Sequence, residues 1–337
     1  MADMIIANPG LAQSDKGKDR LGLFLKMFTG EVLTAFSQST ITGGRFSERT
    51  IEHGKSAIFP IVGRAKAKYL KAGNNLDDLR TPIEHNERTI VLDGLLTSDC
   101  MIFDLDEAMN HFELRSKYSK EMGEALAVAQ DCAILAEVAK MIVEDKENLP
   151  TNATTGVKGT GKGLIVTETV ATADYGETEA MGVAIFKELL KIKTKMSENN
   201  VPLAGRNCYI KPMALNALIA NKDIINKLYG ASMTIEGNNP PKLIGFDLIE
   251  APLLTEGGVD NENVIQGDGH VFPTAYKDTC QFIVAHPSSA GILTLKGLGM
   301  EHARRPEYQA DQIIAKYAKG FGGLRPEAAF MGVVTQA

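Results

Sequence analysis

Lys55-Ser-Ala-Ile-Phe-Pro-Ile-Val-Gly63, running on into Arg64-Ala-Lys-Ala-Lys-Tyr-Leu70, is the stretch on which the fold turns. In its second half Arg64, Lys66 and Lys68 alternate with Ala65, Ala67 and Tyr69. A period of two is the signature of a strand, so the three cations are expected on one face and the small and aromatic groups on the other. Gly73-Asn-Asn-Leu-Asp-Asp78 makes a polar tip, and residues 83–92 are expected to return as a second strand. Both faces of this hairpin read as too polar to close one side of a hydrophobic core. A lone two-stranded ribbon is marginal in water, which predicts support from another chain.

The sequence after the hairpin points the same way. Asp104-Leu-Asp-Glu-Ala-Met-Asn-His-Phe112 sets Leu105, Met109 and Phe112 at helical spacing. The apolar phase slips near Arg115 and re-forms through Tyr118, Met122, Ala125, Ala129, Cys132 and Ala136. The pattern predicts a short helix, a break, and a long helix over 113–143, about 45 Å at the usual rise and well beyond the average globular helix. An ordinary enzyme core could use such a rod. Its direct junction to a protruding ribbon favours a chain built to contact copies of itself.

Composition sets the bounds. The 337 residues suggest two compact domains, or one with excursions. Hydrophobic residues make up 44%, which excludes wholesale disorder. The balance of 36 basic against 42 acidic residues, a net charge of −6, argues against a surface that grips nucleic acid, since phosphate neutralisation needs a basic excess. Merely enclosing nucleic acid requires no such excess. Cys100, Cys132, Cys208 and Cys280 form no Cys-x-x-Cys pair and read as buried free thiols of a reducing compartment. Met4-Ile-Ile-Ala7 is too short for a signal-peptide core, and no run approaches transmembrane length, so a soluble protein made in the cytoplasm, without membrane contact, is expected.

Residues 1–20 are small, polar and charged, and read as a mobile arm. Leu21, Phe24, Leu25, Phe28, Val32 and Phe36 define an amphipathic helix weakened by Gly22 and Gly30. Residues 145–163 are rich in Gly, Thr, Asn and Lys, the composition of a loop at a change of domain. Strands are expected over 164–170, 207–210, 243–250 and 281–285. A helix over 178–197 carries Met181, Ile185, Leu189 and Ile192, and a short one is opened by Pro212. Together these suggest an α/β unit around a central sheet. Residues 291–295 and 311–318 read as extended segments that return the chain to the first domain.

No catalytic constellation emerges. Gly156-Val-Lys-Gly-Thr-Gly161-Lys162-Gly163 resembles a phosphate-binding loop, yet Gly163 stands where Ser or Thr should ligate magnesium. No strand precedes it, and the β-rich 164–170 follows where a helix N-terminus should cradle phosphate. An α/β nucleotide-binding enzyme using this loop is therefore the lesser reading. His53, His85, His111, His270, His286 and His302 lack metal-ligand spacing and read as surface or hydrogen-bonded residues. Ser288-Ser289 has neither a nucleophile elbow nor an acid partner. No catalytic residue, cofactor or metal is expected. Arg64, Lys66 and Lys68 could read a nucleic-acid groove, but three cations without base-reading polar groups fit an acidic surface on a neighbouring subunit better. Asp104, Asp106, Glu107 and Glu113 supply such a surface.

Several blocks resemble the major capsid proteins of T-seven-like short-tailed phages, the podoviruses. They are Gly30-Glu-Val-Leu-Thr-Ala-Phe36, Gly54-Lys-Ser-Ala through Arg64, and Leu92-Asp-Gly-Leu-Leu-Thr97 through Asp106-Glu-Ala-Met-Asn-His111. The most specific are Gln309-Ala-Asp-Gln-Ile-Ile-Ala-Lys-Tyr-Ala318 and Gly322-Gly-Leu-Arg-Pro-Glu-Ala-Ala329. The likeness covers residues 20–145 and 290–330 in the same order. It implies an α+β, HK-ninety-seven-like capsid fold. The arm would be 1–20, the extended β-hairpin loop 56–92, and the peripheral domain 21–55 with 93–147, including the spine helix. An axial α/β domain would span 148–287, and 288–337 would return to the peripheral domain. The likeness further implies hexamers and pentamers in an icosahedral shell, a scaffolding protein during assembly, a portal at one vertex, and enclosed double-stranded DNA bound without sequence preference.

Overall fold

The structure is a computed structural model, and it describes residues 20–62, 67–73, 75, 77, 85–104, 115–144, 164–221, 242–254 and 270–337. In chain order these form α1 (Arg20–Ser39), β1 (Ser47–Thr50), β2 (Ser56–Val62), β3 (His85–Val91), β4 (Leu96–Phe103), α2 (Arg115–Glu144) and β5 (Leu164–Val170). Then come α3 (Glu179–Glu198), β6 (Asn207–Ile210), α4 (Pro212–Ala220), β7 (Lys242–Leu243), β8 (Phe246–Glu250) and β9 (Cys280–Ala285). Three long or late strands complete the order: β10 (Ala290–Arg305), β11 (Ala310–Gly323) and β12 (Ala329–Gln336). The chain separates into two compact units, the first made of Met1–Thr40, Gly94–Val128 and Lys296–Ala318, the second of Ile41–Asp93, Ala129–Leu295 and Lys319–Ala337. Helix α2 and strands β10 and β11 run through both.

In the first unit, β11 pairs antiparallel with β4 from Ala310↔Phe103 to Tyr317↔Leu96. Val32 of α1, Ile102, Met122, Leu126, Ile313 and Tyr317 form its core. α1 can lie close on α2 because Gly123 carries no side chain; a Cβ there would stand 2.7 Å from the Val32 carbonyl oxygen. The Ser119 hydroxyl donates to Glu31 at 2.7 Å across the same contact.

α2 is described from Arg115, its expected start at 113 lying outside the described residues, and its expected stripe needs correction. Met122, Ala129, Cys132 and Ala136 are buried, whereas Tyr118 and Ala125 are not. The cause lies further along, where every residue from 129 to 136 is buried. A helix enclosed on all sides has no single apolar face to read. The short helix expected from Asp104 falls almost wholly outside the described residues, as do the arm and the loop at 156–163.

The second unit is built on a mixed six-stranded sheet in the order β5-β12-β9-β6-β8-β7. Successive side chains of a strand point to opposite faces, and here each face closes a separate core. Tyr209, Ile283, Met331 and Val333 pack with the second half of α2. Cys208, Ile210, Phe282, Val284, Phe330 and Val334 pack under α3 and α4. α3 is capped by Thr178, whose side chain accepts from the Met181 amide, and α4 opens on Pro212 as expected.

The strand expected over 243–250 is in fact the β7–β8 hairpin. Leu243 pairs with Phe246 across Ile244 and Gly245, both at positive φ (55° and 91°). Asn-Gly would have announced this two-residue turn; Ile-Gly hides it, because a β-branched residue rarely enters the left-handed region.

Candidate assembly surface

β2 and β3 pair antiparallel from Ser56↔Val91 to Val62↔His85, so the ribbon exists and its two faces can be compared. Residues alternate exposed and buried along all of β2. The inward row of Ala57, Phe59 and Ile61, with Ile90 opposite, is buried, and Ala57, Phe59 and Ile90 pack with Leu293 and Leu324. Three glycines permit this approach. A Cβ on Gly320 would lie 2.3 Å from the Val91 carbonyl oxygen, one on Gly291 3.2 Å from the Phe59 ring, and one on Gly322 2.9 Å from Ile90. Polar ties reinforce it: Arg88 donates to the Gly323 carbonyl at 2.7 Å and Arg325 to the Val62 carbonyl at 2.9 Å.

Two expectations are thereby corrected. The ribbon is not polar on both faces, because Phe59 and Ile61 occupy one alternate row and the chain's own core anchors them. Nor is the described end of the cation-rich stretch a strand, while residues 63–66 lie outside the described residues. The described pairing runs to Val62↔His85, and residues 67–70 have no strand structure. Alternating Lys and Ala imitate the strand period without supplying a surface to pack.

The outward row differs in character. Ile58, Val62 and Val91 are each about half exposed (46%, 50% and 50%), with Pro60 exposed between them. The anchored ribbon therefore presents a small apolar strip to its surroundings.

Among the residues expected at subunit contacts, Lys68 is exposed. Arg64, Lys66, Asp106, Glu107 and Glu113 lie outside the described residues. Asp104 is held within the chain. Arg304 spans Asp104 and Asp311, donating to them at 2.7 and 3.0 Å, and His302 stands 3.7 Å from Asp311. No signal in the sequence joined Arg304 to Asp104, since β10 and β11 bring them together from distant positions.

Sequence reasoning also missed the buried polar groups of the second unit. His270 places Nδ1 2.9 Å from Glu137 and Nε2 2.9 Å from Asp93, with its side chain 4% exposed. Burial opposes charge on the ring, but the two carboxylates outweigh it through hydrogen bonding and attraction, raising its pKa to about 9. Glu188 on α3 is buried. Desolvation, with repulsion from Glu168, pushes its pKa up to about 9, so it is neutral at pH 7. Asp131 on α2 accepts from the Ile41 and Thr42 amides at 2.8 and 3.1 Å. Of the four free cysteines, Cys132, Cys208 and Cys280 are buried and Cys100 is partly so. Burial holds the Cys280 thiol near a pKa of about 12 and Cys208 well above its usual range. The His286 ring meets the Ser288 hydroxyl at 2.8 Å, a contact between residues two apart in sequence. Among the described residues no three His, Cys, Asp or Glu are grouped to hold a metal, and no helix is long and apolar enough to cross a membrane.

Against known proteins, the family model described as "Gp10A-like: Major capsid protein" matches residues 58–332. The major capsid protein of Enterobacteria phage T3 is 41% identical over 332 residues, 96% of this chain and 94% of that protein. The major capsid protein of Escherichia phage T7 is 41% identical over 321 residues, covering 92% of this chain and 91% of that one. Among solved structures, the capsid of the cyanophage P-SCSP1u aligns over the whole of both chains with a TM-score of 0.68 and 28% identity.

Proposed function

We infer, from the premise that this chain belongs to the Gp10A-like family of major capsid proteins, that it is the repeating structural subunit of the icosahedral head of a tailed phage. Its fold is α+β and HK-ninety-seven-like. Its work on this reading is assembly into hexamers and pentamers around double-stranded DNA. A scaffolding protein would guide the precursor shell, a portal would occupy one vertex, and assembly would take place in the cytoplasm of the bacterial host. On the same reading 1–20 would be the arm, 56–92 the extended loop, 148–287 the axial domain, and 21–55, 93–147 and 288–337 the peripheral domain.

The single observation in this molecule that most favours assembly is the two-faced ribbon. Its inward row is secured by the subunit's own core, while Ile58, Val62 and Val91 remain without cover. Arg64, Lys66 and Lys68 follow directly and suit an acidic neighbour. Each exposed ion pair is worth at most about 1 kcal/mol, so one reversal is mild, but a shell repeats it in every subunit.

Changing Arg64, Lys66 and Lys68 together to Glu should leave circular dichroism unchanged and sharply reduce the shell fraction in sedimentation. Shells of normal yield that retain DNA poorly would place these cations on the genome side instead. Negative-stain images of the unaltered protein should show closed shells; a uniformly monomeric population under assembly conditions would count against the reading.

A further inference from the structure

In the second unit the ends of the chain segments are joined by a run of polar contacts. The segments are Ile41–Asp93, Ala129–Leu295 and Lys319–Ala337. Ile41 and Thr42 donate to Asp131 through their amides. The Asp93 amide donates to the Lys319 carbonyl at 3.2 Å, and Lys319 Nζ donates to Gln130 at 2.6 Å. The Asp93 carboxylate then meets His270, and His270 meets Glu137. All but the last involve a residue at or near the place where a segment begins or ends.

The imidazole is the piece whose chemistry can change. Both of its nitrogens face carboxylate oxygens. An ionised carboxylate only accepts, and a neutral imidazole carries one N–H, so the two contacts need two protons among the three groups. Imidazole is the more basic partner and takes both.

We propose that His270 is a proton-dependent clasp: its imidazolium holds Asp93, where the chain leaves the β2–β3 hairpin, to Glu137 on α2, and loss of the proton releases that end of the hairpin. The charged groups facing the ring are Asp93 from the segment after β3 and Glu137 from α2. From β11 comes Phe321, edge-on at 5.6 Å and uncharged. Lys319 on the same strand sends its ammonium to Gln130, within the influence of Glu48 and Asp131, so it does not replace the imidazolium. Once the ring is neutral, one of two partly buried carboxylates loses its donor while both still repel each other. A buried charge without its partner is costly, and Asp93, the more exposed of the two carboxylates (29% against 16%) and outside a helix, is the one that yields.

The test uses the whole folded chain. Nuclear magnetic resonance of histidine-labelled protein should contain one ring resonance, absent from His270→Gln, that titrates near pH 9. Asp93→Asn should lower that midpoint by at least one unit, an effect that mere packing of the ring would not produce. Subtilisin cleavage within 85–95, scaled to an unfolded control at each pH, should rise at least fivefold from pH 7.5 to 10 in the unaltered chain. His270→Gln should rise less than twofold over the same range, because its amide cannot gain or lose a proton there. Glu188 ionises in the same range but is present in both proteins, so the difference between them isolates His270. A His270 midpoint near 6.5, or an alkaline step that persists in His270→Gln, overturns the proposal. Should His270→Gln fail to fold, the Asp93→Asn shift decides alone.

Discussion

Glu188 sits in the core beneath α3, at the place where a Cβ on Gly332 would come within 2.8 Å of it. Its folded pKa of about 9 lies above the ordinary 4.5. Between those values the folded chain keeps a proton that the unfolded chain releases, so Glu188 destabilises progressively as pH rises. At pH 7 the cost is on the order of 3 kcal/mol. Glu188→Met should therefore stabilise the protein by about 2–4 kcal/mol more at pH 8 than at pH 5, judged from urea midpoints at the two pH values. A gain independent of pH would show that packing, and not the carboxyl, was responsible. Nothing in the sequence singled out this residue. Lys187-Glu188-Leu189 reads as an ordinary stretch of amphipathic helix, and only the phase of α3 against the sheet turns the acid inward.

At the scale of elements, the hairpin shows what local pattern can and cannot supply. β5, β6, β9 and α4 lie within a residue of their expected bounds because each is a short apolar run with clear punctuation. The ribbon's existence was legible, but its anchoring was not. Phe59 and Ile61 alternate with Ile58, Pro60 and Val62, so both rows are apolar, and only the tertiary partners Leu293 and Leu324 distinguish them. β12 was missed altogether, since Ala329–Gln336 is buried from its first residue through Val334 and shows no alternation. Asp104 was expected to meet a neighbouring subunit, and its in-chain partner Arg304 was not foreseen because it lies far along the chain. The two rows of β2 make opposite predictions. Phe59→Ala should cost about 3–5 kcal/mol of folding stability through the cavity it leaves. Ile58→Asp should change the melting midpoint little and lower the yield of shells in a gradient. If Ile58→Asp assembles as well as the unaltered chain, the outward strip is not a contact.

For the molecule as a whole, His270 and Glu188 act in the same sense on the alkaline side. His270 contributes fully below pH 6.5, its ordinary value, and loses its contribution as pH rises through about 9. Glu188 becomes steadily more costly up to the same pH. The thermal midpoint of the free subunit should thus fall continuously between pH 6.5 and 9.5 at constant ionic strength. A flat profile over that range would mean that both groups are hydrated in solution. The formal charge of −6 gives no hint of this behaviour, because two interior groups set it and the surface balance does not.

Strand β12 occupies the interior of the six-stranded sheet, with β5 parallel on one side and β9 antiparallel on the other. A ribosome makes both neighbours first. Until residue 336 has been synthesised, β5 and β9 face an empty lane, each with an unpaired row of amides and carbonyls. Phe330, Met331, Val333 and Val334 are likewise missing from both cores. A nascent chain therefore cannot display a finished second unit to its siblings, however many of them crowd the same messenger RNA. Release of β12 from the ribosome closes the sheet, and before it the chain carries two open strand edges of the kind that pair with other chains.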